Sequence, residues 1–220
     1  MIGAPNGKVR RVQTGPALSH EHAHGRSLSV IEREAHGCQR CDLYRNATQL
    51  VFGEGPPDAR LVLVGEQPGD KEDVAGRPFV GPAGTVLTEC LGEAGIERAD
   101  CYLTNAVKHF KYEQRGKRRL HSRPNAGEIQ RCAWWLGAEL EHIHPHVVVA
   151  LGATAARTLL GPGVKVRTDR GKAIDLGLGF WILVTIHPSY LLRIRGRESA
   201  ERERSDFISD LKVALELQRA

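Results

Sequence analysis

Residues 59–69, ARLVLVGEQPG, decide the fold. Leu61, Val62, Leu63 and Val64 form a short Val/Leu-rich run that ends in Gly65 and a Pro68–Gly69 turn. A run of that length bounded by turn residues reads as a strand buried on both faces, the type found in parallel sheets. Downstream, GPAGTVLTECLGEAGI (81–96) reads as a helix with Val86, Leu87 and Cys90 on one face. The plan then repeats. CYLTNAVKHF (101–110) reads as a second strand, and NAGEIQRCAWWLGAELEHIH (125–144) as a helix opened by Asn125 with Glu128 three residues on. HVVVALG (146–152) is a third strand and ATAARTLLG (153–161) a small helix. RGKAIDLGLGFWILVTIHP (170–188) holds a hairpin and a fourth strand, and residues 198–218 form a closing amphipathic helix. Upstream, residues 27–36 form a short helix, followed by a Gly/Pro-rich connector at 52–59. Strands alternating with helices imply an α/β fold of three layers, α/β/α, around a central four-stranded parallel sheet. Residues 27–220 then make one domain behind a disordered leader, 1–26, whose His20, His22 and His24 receive no role.

The chain has 220 residues, is 41% hydrophobic and contains no apolar run near the roughly 18 residues of a membrane span. A soluble, cytoplasmic monomer without a membrane partner is expected. Charge is distributed unevenly. Lys108–Arg123, KHFKYEQRGKRRLHSR, has seven Lys/Arg against one Glu, a net +6, where the whole chain carries +5. The rest is close to neutral, so the basicity sits on one segment, and it reads either as a phosphate-gripping loop or as a solvated one. In the first reading, His121, two residues past the basic triplet Lys117 to Arg119, places an imidazole, as nucleophile or general base, beside a nucleic acid.

Five cysteines, with Cys38 and Cys41 in a CxxC, do not suit a secreted disulfide framework. A reduced compartment and a metal site fit better, although one CxxC is compatible with zinc, an iron-sulfur cluster or a redox pair. Cys90 on an apolar helix face and Cys101 at a strand start read as core. Ligands of an open α/β sheet bind beyond the carboxyl ends of its strands. There the sequence places GEQPGD, then NAVKHF with the basic stretch, and HPSYLLR.

Taken together, these motifs resemble the uracil-DNA glycosylase superfamily, specifically its family 4 type, and within it the X-type branch, UdgX. The resemblance covers about residues 30–215. It rests on Cys38 and Cys41, GEQPGDKEDVAGRPFVGPAG (65–84), YLTNAVKH (102–109), LGATAA (151–156), HPSYLLR (187–193) and the KRRLH run ending at His121. It implies uracil-containing DNA, single-stranded by expectation, as the substrate and a [4Fe–4S] cluster, or zinc, as the metal centre. The implied ligands are Cys38, Cys41, His109 and Cys132, with His109 standing where ordinary family 4 enzymes carry a third cysteine.

An enzyme that removes a base must extrude it, read its Watson–Crick edge and stabilise both halves of the breaking bond. The Asn105 amide can donate to uracil O4 and accept from N3–H, a pattern cytosine reverses. Phe79 would stack on the base, Gly65 and Gln67 would line its lip, and His187 would donate to uracil O2. Resemblance to the X-type branch further implies that His121, oriented by Glu66, attacks C1′ and leaves a covalent histidine–DNA adduct. Lys117, Arg118 and Arg119 would then hold phosphates, with Arg193 on the backbone and the leucines of HPSYLLR in the vacated stack.

Overall fold

The computed structural model describes residues 14–19 and 25–219. Its elements in chain order are α1 (Leu28–His36), β1 (Leu61–Gly65), α2 (Asp70–Ala75), α3 (Pro82–Glu93), β2 (Cys101–Asn105), β3 (Tyr112–Arg115), β4 (Arg118–His121) and α4 (Ala126–Ile143). They continue with β5 (Val147–Leu151), α5 (Ala153–Leu160), α6 (Val166–Asp169), β6 (Ala173–Asp175), β7 (Trp181–Thr185) and α7 (Arg197–Arg219). The main sheet has the order β2-β1-β5-β7-β6. The first four strands are mutually parallel, as the sequence implies, and β6 pairs antiparallel at the edge as the first arm of the hairpin in 170–188.

Strand pleating sends alternate residues to opposite faces. Leu61 and Leu63 of β1 and Val147 and Val149 of β5 pack with Leu87, Leu91, Phe207 and Leu211 of α3 and α7. Val62, Val64, Val148 and Ala150 pack on the other side with Leu136, Leu140, Ala155 and Leu159 of α4 and α5. Both faces are dry, which explains why β1 and β5 read as unbroken apolar runs. A third cluster joins Ile31 and Ala35 of α1 to Trp135 and Cys132 of α4. Arg40, inside the CxxC, stacks over Trp134 at 4.4 Å and holds that turn to α4.

Three features differ from the sequence reading. The basic stretch is a β-hairpin, with Tyr112 opposite His121 and Arg115 opposite Arg118, and Gly116 turns at φ 58°. Its arms of four residues carry charge on both faces, so no alternation marks them as strands. The helix α2 was not expected, because six residues are too few to show a 3.6-residue period. Residues 14–19 fall in the stretch read as a disordered leader but lie against α5. The Gly15 N–H donates to Leu159 O at 2.8 Å, the Ala17 N–H to Thr158 O at 3.2 Å, and Ala17 is buried. His20, His22 and His24 lie outside the described residues.

Just beyond β2, a buried ion pair fixes the chain. Lys108 Nζ lies 2.5 Å from Glu139 Oε2, and neither side chain has any solvent exposure. Tyr102, Thr104 and the Gly53 N–H supply the other donors to the Glu139 carboxylate. Removing one member of a buried pair leaves the other charge uncompensated, at a cost of about 3–5 kcal/mol. Lys108→Met is therefore expected to lower unfolding free energy by about that amount in chemical denaturation. Lys108→Met with Glu139→Gln should recover part of the loss, and equal stability of the single variant and the parent would contradict the assignment.

Candidate active site

The direction of strand addition reverses between β1 and β5, since β1 leads to β2 on one side and the chain returns to β5 on the other. The crevice beyond such a point is the expected ligand position. Its lips are Glu66, directly after β1, and Thr154, in the first turn of α5, and the Thr154 hydroxyl donates to Glu66 Oε2 across the gap. The crevice opens into a cavity of about 1450 Å³ walled in part by Glu66, Phe79, Asn105, His121, His187 and Arg193.

The back of the cavity depends on one glycine. Gly65 pairs in register with Asn105, and a Cβ on it would sit 2.3 Å from Asn105 Oδ1 and 2.7 Å from Phe79 Cζ. Only a residue without a side chain lets that amide and that ring converge. Phe79 itself has φ 54°, a left-handed conformation that costs a non-glycine residue roughly 1–2 kcal/mol. The turn is held from both sides. Glu72 accepts the N–H groups of Gly69 at 3.1 Å and Gly81 at 2.7 Å, and Arg98 donates to the Phe79 carbonyl at 3.2 Å. Strain maintained on an aromatic residue in a cavity wall points to function.

His187 ends the crevice on the β7 side. The Ser189 N–H donates to its Nδ1 at 3.2 Å, so the ring proton sits on Nε2. Burial, together with the nearby Arg193 and His121, pushes its pKa down to about 4. At neutral pH the ring is an uncharged Nε2–H donor. His121 lies at the end of β4 with Nε2 3.5 Å from Glu66 Oε1, beyond hydrogen-bond length. Desolvation lowers its pKa below the ordinary histidine range against the pull of Glu66, and Arg193 and Arg123 add to the lowering.

Two clasps set the hairpin over the cavity. The Gln67 amide donates to Lys111 O at 3.0 Å and Ser122 O at 3.1 Å, on either side of the hairpin, and its oxygen accepts the Lys111 N–H. Gln67 is thus an anchor for the loop as well as part of the lip. Arg119 corrects the sequence reading. Expected on DNA phosphates, it lies 2.6 Å from Asp70 and 2.5 Å from Asp73, and Asp73 is fully buried. Two carboxylates already satisfy this guanidinium, which makes it a structural latch. Lys117 and Arg118 lie exposed at the tip, and Arg193 is exposed on the cavity rim. Leu192, 53% exposed, borders a small depression with Val80, while Leu191 is partly buried. Sequence reasoning missed Thr154, Ser189 and Glu72. The available signal for Thr154 was its position in the first turn of the helix after β5.

A model of the uracil DNA glycosylase superfamily matches residues 52–212. The chain belongs to the uracil DNA glycosylase superfamily. It is 43% identical over 172 residues to a type-4 uracil-DNA glycosylase of Thermotoga maritima, covering 78% of this chain and 86% of that protein. A type-4 uracil-DNA glycosylase of Archaeoglobus fulgidus is 36% identical over 189 residues, 82% of this chain and 90% of that protein. Another from Saccharolobus solfataricus is 34% identical over 174 residues, 76% and 77% respectively. Within the superfamily this chain is therefore family 4-like.

In this superfamily member three of the four expected metal ligands gather where α1 meets α4. Cys38, Cys41 and Cys132 share one cluster of packed side chains, and Cys38 and Cys41 act electrostatically on Cys132. Each sulfur accepts an N–H: Cys38 from Trp135 Nε1 at 3.1 Å, Cys132 from Lys108 N at 3.1 Å, and Cys41 from the Leu43 backbone. His109 follows Lys108, is buried, and has Asp73 and His36 as neighbours. Among the described residues no three His, Cys, Asp or Glu side chains converge on the position of a single metal ion. Thiols and an imidazole of this kind are donors that zinc and an iron-sulfur cluster both accept. Cys90 and Cys101 are buried in the core.

The latch yields a direct prediction. Arg119→Ala leaves Asp73 without its cation, so the chain should lose about 1–3 kcal/mol of stability. Hydrogen exchange should accelerate across residues 112–121, and unchanged protection there would contradict the clasp.

Proposed function

We propose that this chain is a uracil-DNA glycosylase that excises uracil and then captures the DNA through His121. The observation that carries the reading is the placement of His121 beside Glu66, at the mouth of a pocket that holds Asn105, Phe79 and His187. The flipped uracil stacks on Phe79 and pairs with the Asn105 amide, with the backbone of Gly65 to Gln67 as lip. As the C1′–N1 bond breaks, its electron pair leaves on uracil. The His187 Nε2–H donates to the developing charge on O2, as a neutral donor that needs no proton from solvent. The remaining sugar is oxocarbenium-like and electrophilic at C1′.

His121 then supplies the lone pair. Glu66 faces one ring nitrogen and favours the tautomer with its proton there, which leaves the other nitrogen free to bond to C1′. The positive charge that forms on the ring is relieved when Glu66 takes the facing proton. The N-alkylated imidazole has no activated leaving group, so one turnover consumes the protein. A second reading, an ordinary turnover glycosylase, is favoured by the names of the relatives and by the Thr154–Glu66 contact, which holds the carboxylate where it could direct water.

Cys38, Cys41, Cys132 and His109 would hold a [4Fe–4S] cluster, which would cross-link α1, α4 and the root of the hairpin. Base excision leaves the oxidation state of the substrate unchanged, so a structural role suffices. We place the protein in the cytoplasm, acting as a monomer on single-stranded DNA, with Lys117, Arg118 and Arg193 near the phosphates. The purified holoprotein should be yellow-brown, and Cys132→Ala should lose iron. A colourless preparation containing one zinc per chain would contradict the cluster.

Mixing with uracil-containing single-stranded DNA should give a protein–DNA band that survives heat and SDS. His121→Ala should abolish that band, and its persistence would remove His121 as nucleophile. The pH dependence has a defined sign. Because the His121 pKa lies below its ordinary value of 6.5, the adduct rate should be level above that pH and fall below it as the nucleophile protonates. A rate that rises on acidification would contradict the mechanism.

A further inference from the structure

The cavity is larger than a base needs. Its volume of about 1450 Å³ exceeds the roughly 300–1,000 Å³ of small-ligand pockets. From the lip at Glu66 and Thr154 it runs along α5, past Gly161 and Pro162, to α6, so that Arg157 and Arg167 belong to the same concave wall as His121 and His187. Both are exposed. The arginines of this molecule fall into two groups by partner. Arg170, at the far end of the cavity, is tied to Asp210 at 2.9 Å and Glu203 at 2.8 Å, and Arg119 is tied to Asp70 and Asp73. Arg157 and Arg167 have no carboxylate within ion-pair distance among the described residues. Their position in the last turns of α5 and α6 is favourable for a cation, but that alone would not direct them into one groove.

We infer that the Arg157–Arg167 arm of the cavity is a phosphate track, which carries the single DNA strand that flanks the flipped nucleotide. This inference rests on the proposed function for its substrate. It relocates much of the backbone grip from the hairpin, whose Arg119 is spent internally, to the wall of α5 and α6. Guanidinium groups with no carboxylate partner among the described residues, lining a concave wall, suit phosphate oxygens, which they engage in bidentate fashion. A single strand fits this arm because contacts to the backbone there require no base reading. The flipped base would enter at Phe79 while its neighbours follow the groove.

The test compares the full-length holoprotein with Arg157→Ala/Arg167→Ala. Binding of a uracil-free 20-nucleotide single strand is followed by fluorescence anisotropy across a salt series. Uracil release is measured in parallel from a 20-nucleotide and a four-nucleotide substrate. Losing two phosphate contacts should reduce the magnitude of the slope of log K against log[salt] by about 1.4. The preference for the long substrate over the short one should fall about tenfold. Arg157→Lys/Arg167→Lys should keep most of the slope, because charge carries it. An unchanged slope, or an equal loss on both substrate lengths, would overturn the track and leave these arginines as solvated side chains. If the unmodified chain releases no uracil, the proposed function fails instead, while the anisotropy slope still decides the track.

Discussion

The ion pair between Lys108 and Glu139 is the constraint on which the site depends. Two charges with no solvent exposure persist only if each is fully compensated, and Glu139 collects Lys108, Thr104, Tyr102 and the Gly53 N–H around one carboxylate. That network ties the end of β2 to α4 and to the connector before β1. It sets the path of the chain as it leaves Asn105, delivers the Lys108 N–H to Cys132, and aims the hairpin that follows. The Asn105 amide, one thiol and the basic hairpin are thus all referenced to one buried point. Displacing it would move Asn105 and His121 relative to each other.

The hairpin is positioned by polar contacts at both of its sides. Gln67 binds the backbone on either side of the hairpin, and Arg119 latches β4 to α2 through Asp70 and Asp73. Because Gln67 adjoins Glu66, the lip Gly65 to Gln67 also anchors the hairpin that carries His121. The neighbouring positive charges have a chemical consequence. Burial first, and Arg193 in addition, disfavour the protonated forms of both His121 and His187.

The parallel sheet was legible because burial on two faces writes itself as apolar runs such as Leu61–Val64 and Val147–Leu151, a signal local in sequence. The placement of Glu66, Asn105 and His187 in one cavity followed from the rule about strand ends, whereas Phe79 and His121 were assigned to it through the family resemblance. What escaped was non-local or too short to repeat. Asp70 and Asp73 look like ordinary helix-start acids until Arg119 arrives from 46 residues away in the case of Asp73. A run of three basic residues gives no sign that its last member faces inward. The left-handed turn at Phe79 is equally invisible, since Arg98 and Glu72 hold it from outside the motif.

Single turnover is the central claim, and counting uracil tests it most directly. With DNA substrate in large excess over protein, the account expects free uracil to rise to one equivalent per chain and stop, with a matching loss of unmodified protein by intact mass. Continued release to many equivalents per chain, with the protein mass unchanged, would contradict it and leave a turnover glycosylase.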